Sequence, residues 1–352
     1  MRPVLSLEHV VLEASLPASV GNAHTRWSER RSVLLTLEDA NGDRGRGEAA
    51  PLPGISAESI DDVIAAIERL GSTLEPSELD LLTLPPSLRF AIESALLDLR
   101  AGERPAYAAL LDAHTEARVP EAIELQIVLD SLETASARSL TAFAAGARTF
   151  KVKIGRPGAA QAEAELLDAV RALGRDVVIR ADANGRLDDV DVLAPALARA
   201  RVEYVEDPFS LDDPAARAWV GIPVALDAAV GNDPHAALAR ARSLGASFVV
   251  LRPTVIGGLE TTLTLAARAR ARGLKVVLSH GLEGPVGLAA LAHLALAASA
   301  ASHRALWGAQ GLAPWSGCDT FRPPGGSPLA LPYYLSDTRI LRPASRGLGV
   351  AR

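Results

Sequence analysis

Arg148-Thr-Phe-Lys-Val-Lys-Ile154 decides the fold, because few strand environments accommodate it. Side chains alternate across a strand, so Phe150, Val152 and Ile154 share one face and Lys151 and Lys153 the other. With the apolar face packed on helices, both ammonium groups point into whatever the sheet encloses. That burial is costly unless acids or a reaction require the lysines there.

Outward from this stretch, Glu121 to Gly308 alternates short β-branched runs with alanine-rich helical patterns. The runs are Glu124 to Leu129, Thr149 to Ile154, Val177 to Ala181, Val202 to Val205, Val224 to Leu226, Phe248 to Leu251, Lys275 to Leu278 and Ala305 to Trp307. Helical periodicity fills intervals such as Ala160 to Leu173, Asp189 to Ala200, Pro234 to Leu244 and Leu259 to Ala271. Eight strands with intervening helices predict an α/β fold with a closed parallel barrel.

The first 115 residues read differently. A strand, a loop rich in Asn22, His24, Arg26 and Trp27, and a strand from Ser32 to Glu38 lead through the hairpin signal Asn41-Gly42 into Arg44 to Ala49. Helical patterns follow at Ala57 to Leu70 and Leu88 to Leu99. The expected organisation is a capping α+β domain over 1–115, a barrel over 116–314, and a Pro- and Gly-rich tail over 315–352 that returns to the first domain.

The 352 residues are 49% hydrophobic and 22% charged, enough for a large core, and the net charge of −6 disfavours nucleic acid and anionic membrane as partners. Cys318 is the single cysteine, which excludes an internal disulfide framework. Met1 to Leu12 alternates like a strand and lacks the apolar core of a signal peptide, so a cytoplasmic location is expected. Val286 to Ala301 is apolar apart from His293 and small polar residues, and its place in the alternation predicts a buried barrel helix rather than a membrane span.

Active sites of parallel barrels lie at the C-terminal strand ends. Read in order, those ends carry Lys151 and Lys153, Asp182 and Asn184 in Ala181-Asp-Ala-Asn-Gly185, Glu206 in Val205-Glu-Asp-Pro208, Asp227 in Leu226-Asp-Ala-Ala229, and Arg252 in Leu251-Arg-Pro-Thr254. Singly, Asp-Ala-Asn-Gly reads as an Asx turn, Glu-Asp-Pro as a strand exit, and Asp227 as a solvated acid. Together, three converging acids repel unless a cation sits among them, and an oxygen-only set favours Mg²⁺ over zinc. Such an ion stabilises the charge that appears when a carbon next to a carboxylate loses its proton. Lysine suits the base if burial and a like charge two residues away lower its pKa.

These ordered motifs resemble the enolase superfamily, specifically its muconate-lactonising subgroup, over nearly the whole chain. The resemblance implies a modified (β/α)₇β barrel, with Lys153 as general base, Lys151 as its charged neighbour, and Asp182, Glu206 and Asp227 as ligands of Mg²⁺, or alternatively Mn²⁺. Gly47-Glu-Ala-Ala-Pro-Leu-Pro-Gly-Ile-Ser56, Ser279-His-Gly-Leu-Glu283 and Gly287-Leu-Ala-Ala-Leu-Ala-His293 are similar to the o-succinylbenzoate synthase family. That similarity implies a Mg²⁺-dependent syn dehydration of a small carboxylate through a metal-stabilised enolate. It also implies substrate contacts from Arg26 in the Asn22 to Trp27 region, Leu52 in the Pro51 to Ile55 region, Asn184, and backbone groups near Ser279, Gly281 and Gly308.

Two positions depart from the subgroup's pattern: Arg252 stands where a lysine is usual, and Ala228 where an acid often follows the third ligand. Arginine stays protonated and cannot exchange a proton. Racemases and epimerases need a base on each face of the α-carbon, whereas syn dehydration needs one, so Arg252 favours dehydration. The alternatives are an N-acylamino acid racemase or dipeptide epimerase and, in another class, a non-catalytic carboxylate-binding relative. Ser279-His280 is read as no nucleophile pair, Gly257-Gly258 as either a tight turn or an anion site at a helix start, and most histidines as surface or packing residues.

Overall fold

The structure is a computed structural model that describes residues 4–21, 26–111, 118–187, 189–209, 221–227, 230–231, 233–300, 306–310, 322–323, 327, 329–336 and 338–350. Its parallel strands are β5 (Ala122–Leu129), β6 (Thr149–Lys153), β7 (Val178–Asp182), β8 (Val205–Glu206), β9 (Val224–Leu226), β10 (Ala246–Leu251), β11 (Lys275–Leu278) and β12 (Leu306–Gln310). Each pairs in parallel with the next, and β12 returns to β5 through Ala309↔Leu125 and Gln310↔Gln126, which closes the barrel. This confirms the α/β barrel expected from the alternation.

Phe150, Val152 and Ile154 are buried with Leu167, Val170, Leu193 and Leu197, so β6 sets its apolar face on the surrounding helices. Full burial of such a side chain contributes about 1.5–3 kcal/mol. The helices are α4 (Leu132–Ala144), α5 (Ala160–Ala172), α6 (Val190–Arg199), α7 (Pro234–Arg240), the short α8 (Pro253–Ile256), α9 (Leu259–Ala271) and α10 (Pro285–Ala300). Helix α10 is buried from Pro285 to Ala298, as its all-round apolar sequence requires. Among the described residues, no helix is long and apolar enough to cross a membrane.

Before the barrel, β1 (Leu5–Gly21), β2 (Arg26–Glu38), β3 (Arg44–Ala49) and β4 (Thr73–Leu74) form an antiparallel sheet in the order β3-β2-β1-β4. Leu5, Leu7, Val33, Leu35 and Leu37 pack on α1 (Ile60–Leu70) and α2 (Pro86–Ala101), which α3 (Ala106–Leu110) follows. Ser59 and Asp62 close a capping box at the start of α1. Gly45 and Gly47 let α2 lie directly on β3, since a Cβ there would stand 2.1 Å from the Ala95 oxygen and 1.8 Å from the Ala91 oxygen. The Asn41-Gly42 turn forms as its sequence demands, with Asp39 Oδ1 accepting from the Asn41 and Asp43 amides.

One expectation needs correction. Arg26 and Trp27 do not belong to a loop: β2 starts at Arg26 and pairs with β1 through Gly21↔Arg26 and Val20↔Trp27. Trp27 and Arg30, on opposite faces of the strand, are both buried, where the pairing with β1 shifts register between Ser15 and Val20. The tail touches both the first 115 residues and the barrel. Its β13 (Arg339–Leu341) pairs antiparallel with barrel strand β5, while Leu348 N–H donates to Asp98 of α2 and the Ala106 amide to Gly347. Asn22, His24, Ala228 and Cys318 lie outside the described residues.

Candidate active site

In-register pairing at the C-terminal strand ends sets Lys153 beside Asp182 and Asp182 beside Glu206. Paired residues of parallel strands face the same way, so all three point into the barrel. Lys151 stands one layer lower, beside Arg180. Asp227 and Arg252 follow β9 and β10 immediately.

Lys151 is 2% exposed and joins the two acids above it, with Nζ 3.0 Å from Asp182 Oδ2 and 2.7 Å from Glu206 Oε2. Burial opposes its charge, but Asp182, Glu206 and Asp227 more than offset this, and the ammonium is held protonated above its ordinary range. Lys153, half-buried at the end of β6, shifts the other way: burial lowers its pKa and the Lys151 charge adds to the effect, against the pull of Asp182. Glu206 is pushed up by burial, with Asp182 and Asp227 adding to the rise and Lys151 opposing it.

Arg252 grips Asp227 with a fork. Nε donates to Oδ1 at 2.8 Å and Nη2 to Oδ2, while Nη1 donates to the His280 carbonyl at 3.3 Å. Burial acts to raise the Asp227 carboxyl, yet the guanidinium holds it at about 2. Asn184 has a left-handed backbone, φ 49°, and its amide donates to Asp182 Oδ1 at 3.1 Å.

The carboxylates match a hard divalent cation in donor chemistry. Glu206 Oε2 is buried 2.7 Å from the Lys151 ammonium without a well-aligned donor, so it can trade this ion pair for a metal. Among the described residues no trio of acids is already drawn into a metal-holding group. The physical reason is on either side of them: Lys151 stands between Asp182 and Glu206, and Arg252 holds both oxygens of Asp227. Binding a metal therefore requires these acids to turn partly from their cations.

The remaining expected contacts are placed unevenly. Ser279 is buried, its amide donating to Leu251 and its hydroxyl to the His280 carbonyl, while His280 Nδ1 accepts the Leu282 amide. The Gly281 amide donates to Glu283 Oε2 at 2.7 Å, a buried acid that needs donors. Leu52 is buried in a turn closed by Ser56, whose hydroxyl accepts its amide. Gly308 lies in β12, the Arg26 side chain is outside the described residues, and Gly257-Gly258 is a turn whose following helix start is capped by Glu93.

Sequence reading missed a buried polar group where the first sheet meets the barrel: Arg30, Glu48, Glu283 and Thr254. Its signal was available in β2, where Leu34 is apolar opposite Val33 and Leu35, so both faces are covered and Arg30 falls on the Leu34 face. Below the site, Arg180 bonds Gln126 and Glu203 and lies 5.2 Å from the Tyr204 ring, which closes the barrel floor.

Comparison with known proteins bears on the fold and the family. Residues 134–351 match the family described as enolase C-terminal domain-like, and residues 13–99 the one described as MenC, N-terminal domain. The o-succinylbenzoate synthase of Yersinia enterocolitica is 28% identical over 298 residues, which span 80% of this chain and 84% of that protein. Similar solved structures are the muconate lactonizing enzyme from Pseudomonas fluorescens, with TM-score 0.80 and 24% identity over 100% of this chain and 97% of that one, and the dipeptide epimerase from Enterococcus faecalis, with TM-score 0.81 and 20% identity over 99% and 100%. Those two likenesses speak to the fold, and the match over residues 134–351 to the family. With lysines and acids at successive strand ends of such a barrel, this chain belongs to the enolase superfamily and is an enzyme.

Proposed function

We propose that this enzyme catalyses a Mg²⁺-dependent syn dehydration, converting the succinyl-hydroxycyclohexadiene carboxylate of menaquinone biosynthesis to o-succinylbenzoate and water. The observation that carries the reading is the Arg252–Asp227 fork, four strands round an eight-stranded barrel from Lys153. It leaves Lys153 as the proton-transferring side chain, with a permanent cation opposite. Similarity to proteins named o-succinylbenzoate synthase supports the substrate.

Lys153 is lowered toward the neutral amine that a base requires. It takes the proton from the carbon bearing the carboxylate, and the C–H electron pair moves into the ring and carboxyl system. As that charge collapses, the C–O bond on the same face breaks, Lys153 returns its proton to the departing hydroxyl, and water leaves an aromatic ring. Asp182, Glu206 and Asp227 would hold Mg²⁺, or Mn²⁺ in its place. The ion supplies electrostatic stabilisation of the substrate carboxylate. Lys151 stays protonated, lowers Lys153 and keeps Asp182 and Glu206 together.

Asn184, Ser279, Gly281, Gly308, Arg26 and Leu52 remain in the proposal as groups near the bound substrate, as does the division of the chain at about residue 115. The test is spectrophotometric turnover by purified protein with and without Mg²⁺. Formation of o-succinylbenzoate that EDTA abolishes is expected. Absence of that activity, or epimerisation of dipeptides at a comparable rate, would refute the assignment.

A further inference from the structure

We infer that Arg30 is a positioning residue: one guanidinium sets the spacing between the segment from Ala50 to Ile55 and the Ser279 to Glu283 loop that borders the site. The inference rests on the reaction proposed above for its kinetic consequence, though not for its structural one.

Arg30 is 2% exposed and spends its donors on both loops. On one side Nη1 donates to the Pro51 carbonyl at 2.8 Å and Nη2 to Ala50 at 2.9 Å. On the other, Nε donates to the Leu282 carbonyl at 3.1 Å and Nη2 to Gly281 at 3.4 Å. A guanidinium is planar and rigid, so four carbonyls on one fork cannot drift independently. The Ser279 to Glu283 loop borders the site directly, since Arg252 both grips Asp227 and donates to the His280 carbonyl. The carbonyls of residues 280, 281 and 282 thus each accept from an arginine, one belonging to the barrel and one to the first sheet.

The loop needs that hold. Leu282 has φ 62°, a left-handed conformation that costs a non-glycine residue energy and persists where neighbours enforce it. Two buried acids complete the clasp: Glu48 accepts the Gly284 and Gly287 amides at the start of α10, and Glu283 accepts the Gly281 amide and the Thr254 hydroxyl. Burial works against the Arg30 charge, and Glu283 and Glu48 act to keep it. Trp27 ties the same assembly to the Pro51 to Ile55 loop through Pro53.

Arg30→Lys keeps the charge beside Glu48 and Glu283 but offers donors from one atom, which can serve one loop and not both. Amide hydrogen exchange, read by mass spectrometry on the full chain, should speed up about tenfold or more in peptides covering 50–56 and 279–284, with α1 unchanged. Unchanged exchange in either loop, or an equal rise in α1, would overturn the inference. Leu282→Gly relieves the left-handed strain and keeps Arg30, so it serves as the folding control: exchange over 50–56 should stay at the wild-type rate, and a rise there equal to that of Arg30→Lys would show that the loops loosen without loss of the fork. On the proposed substrate, Arg30→Lys should raise KM about tenfold while kcat stays within about threefold and Mg²⁺ affinity by calorimetry is unaltered. Lost kcat at unchanged KM would contradict a positioning role. The exchange readout needs no substrate, so an inactive wild-type protein would reject the reaction while the Arg30 assignment is still decided.

Discussion

Replacing Lys151 with methionine isolates the electrostatics of the site from its chemistry. The side chain is buried, with its ammonium within 3.0 Å of Asp182 and 2.7 Å of Glu206, so Lys151→Met fills much the same volume but strips a cation from two buried acids. Removing one partner of a buried ion pair costs about 3–5 kcal/mol, because the other partner is left desolvated and uncompensated. At about 2–4 °C per kcal/mol this is a fall of roughly 6–20 °C in Tm, toward the lower figure for a long chain. Glu206 is already pushed up by burial, and losing Lys151 raises it further. A folded-state pKa above the unfolded one means the folded protein binds more protons, so the variant's stability falls as pH rises through that window. Thermal unfolding in EDTA should therefore show a larger deficit at about pH 8 than at about pH 5.5, and Mg²⁺ should restore more stability to the variant than to wild type. A variant as stable as wild type at the higher pH would show that these carboxylates do not share a buried site.

Three further outcomes follow from particular contacts. Arg252→Lys breaks the fork on Asp227 and supplies a second proton-transferring group, so solvent deuterium should enter both faces of an N-acylamino acid or dipeptide α-carbon about 10²-fold faster than in wild type; an unchanged NMR exchange rate would contradict the role given to Arg252. His293, buried with Nδ1 accepting the Tyr107 amide, is lowered chiefly by burial from 6.5 to about 4; its stability contribution is complete above the unfolded value and falls by about 3 kcal/mol as pH drops through this window, so His293→Gln should flatten urea midpoints measured there. Gly47→Ala drives a Cβ to 1.8 Å from the Ala91 oxygen and should cost about 3 kcal/mol or prevent folding, whereas a loss under about 1 kcal/mol would mean that α2 can lift from β3.

What could be read from the sequence depended on how local its cause was. The β6 lysines were legible because alternation alone assigns Lys151 and Lys153 to the face opposite Phe150 and Val152. Asp182, Glu206 and Asp227 were legible as strand ends because β-branched runs precede them at regular intervals. Arg30 was not: it is one cation in Glu29-Arg-Arg-Ser32, and its partners Gly281 and Leu282 lie more than 250 residues away. The Arg252 substitution was visible, but its fork on Asp227 depends on the side-by-side placement of β9 and β10. The inward turn of Trp27 and the pairing of β13 with β5 likewise arise from tertiary partners, which override the loop-like composition of those segments.

The central claim is that Lys153 is the base of a metal-dependent dehydration. Its most direct measurement is turnover of the succinyl-hydroxycyclohexadiene carboxylate by wild type and Lys153→Ala in saturating Mg²⁺, with Mg²⁺ affinity of both proteins measured alongside. The account predicts a loss of about 10²–10⁴-fold in kcat at unchanged metal affinity. Activity of Lys153→Ala within about tenfold of wild type would contradict it.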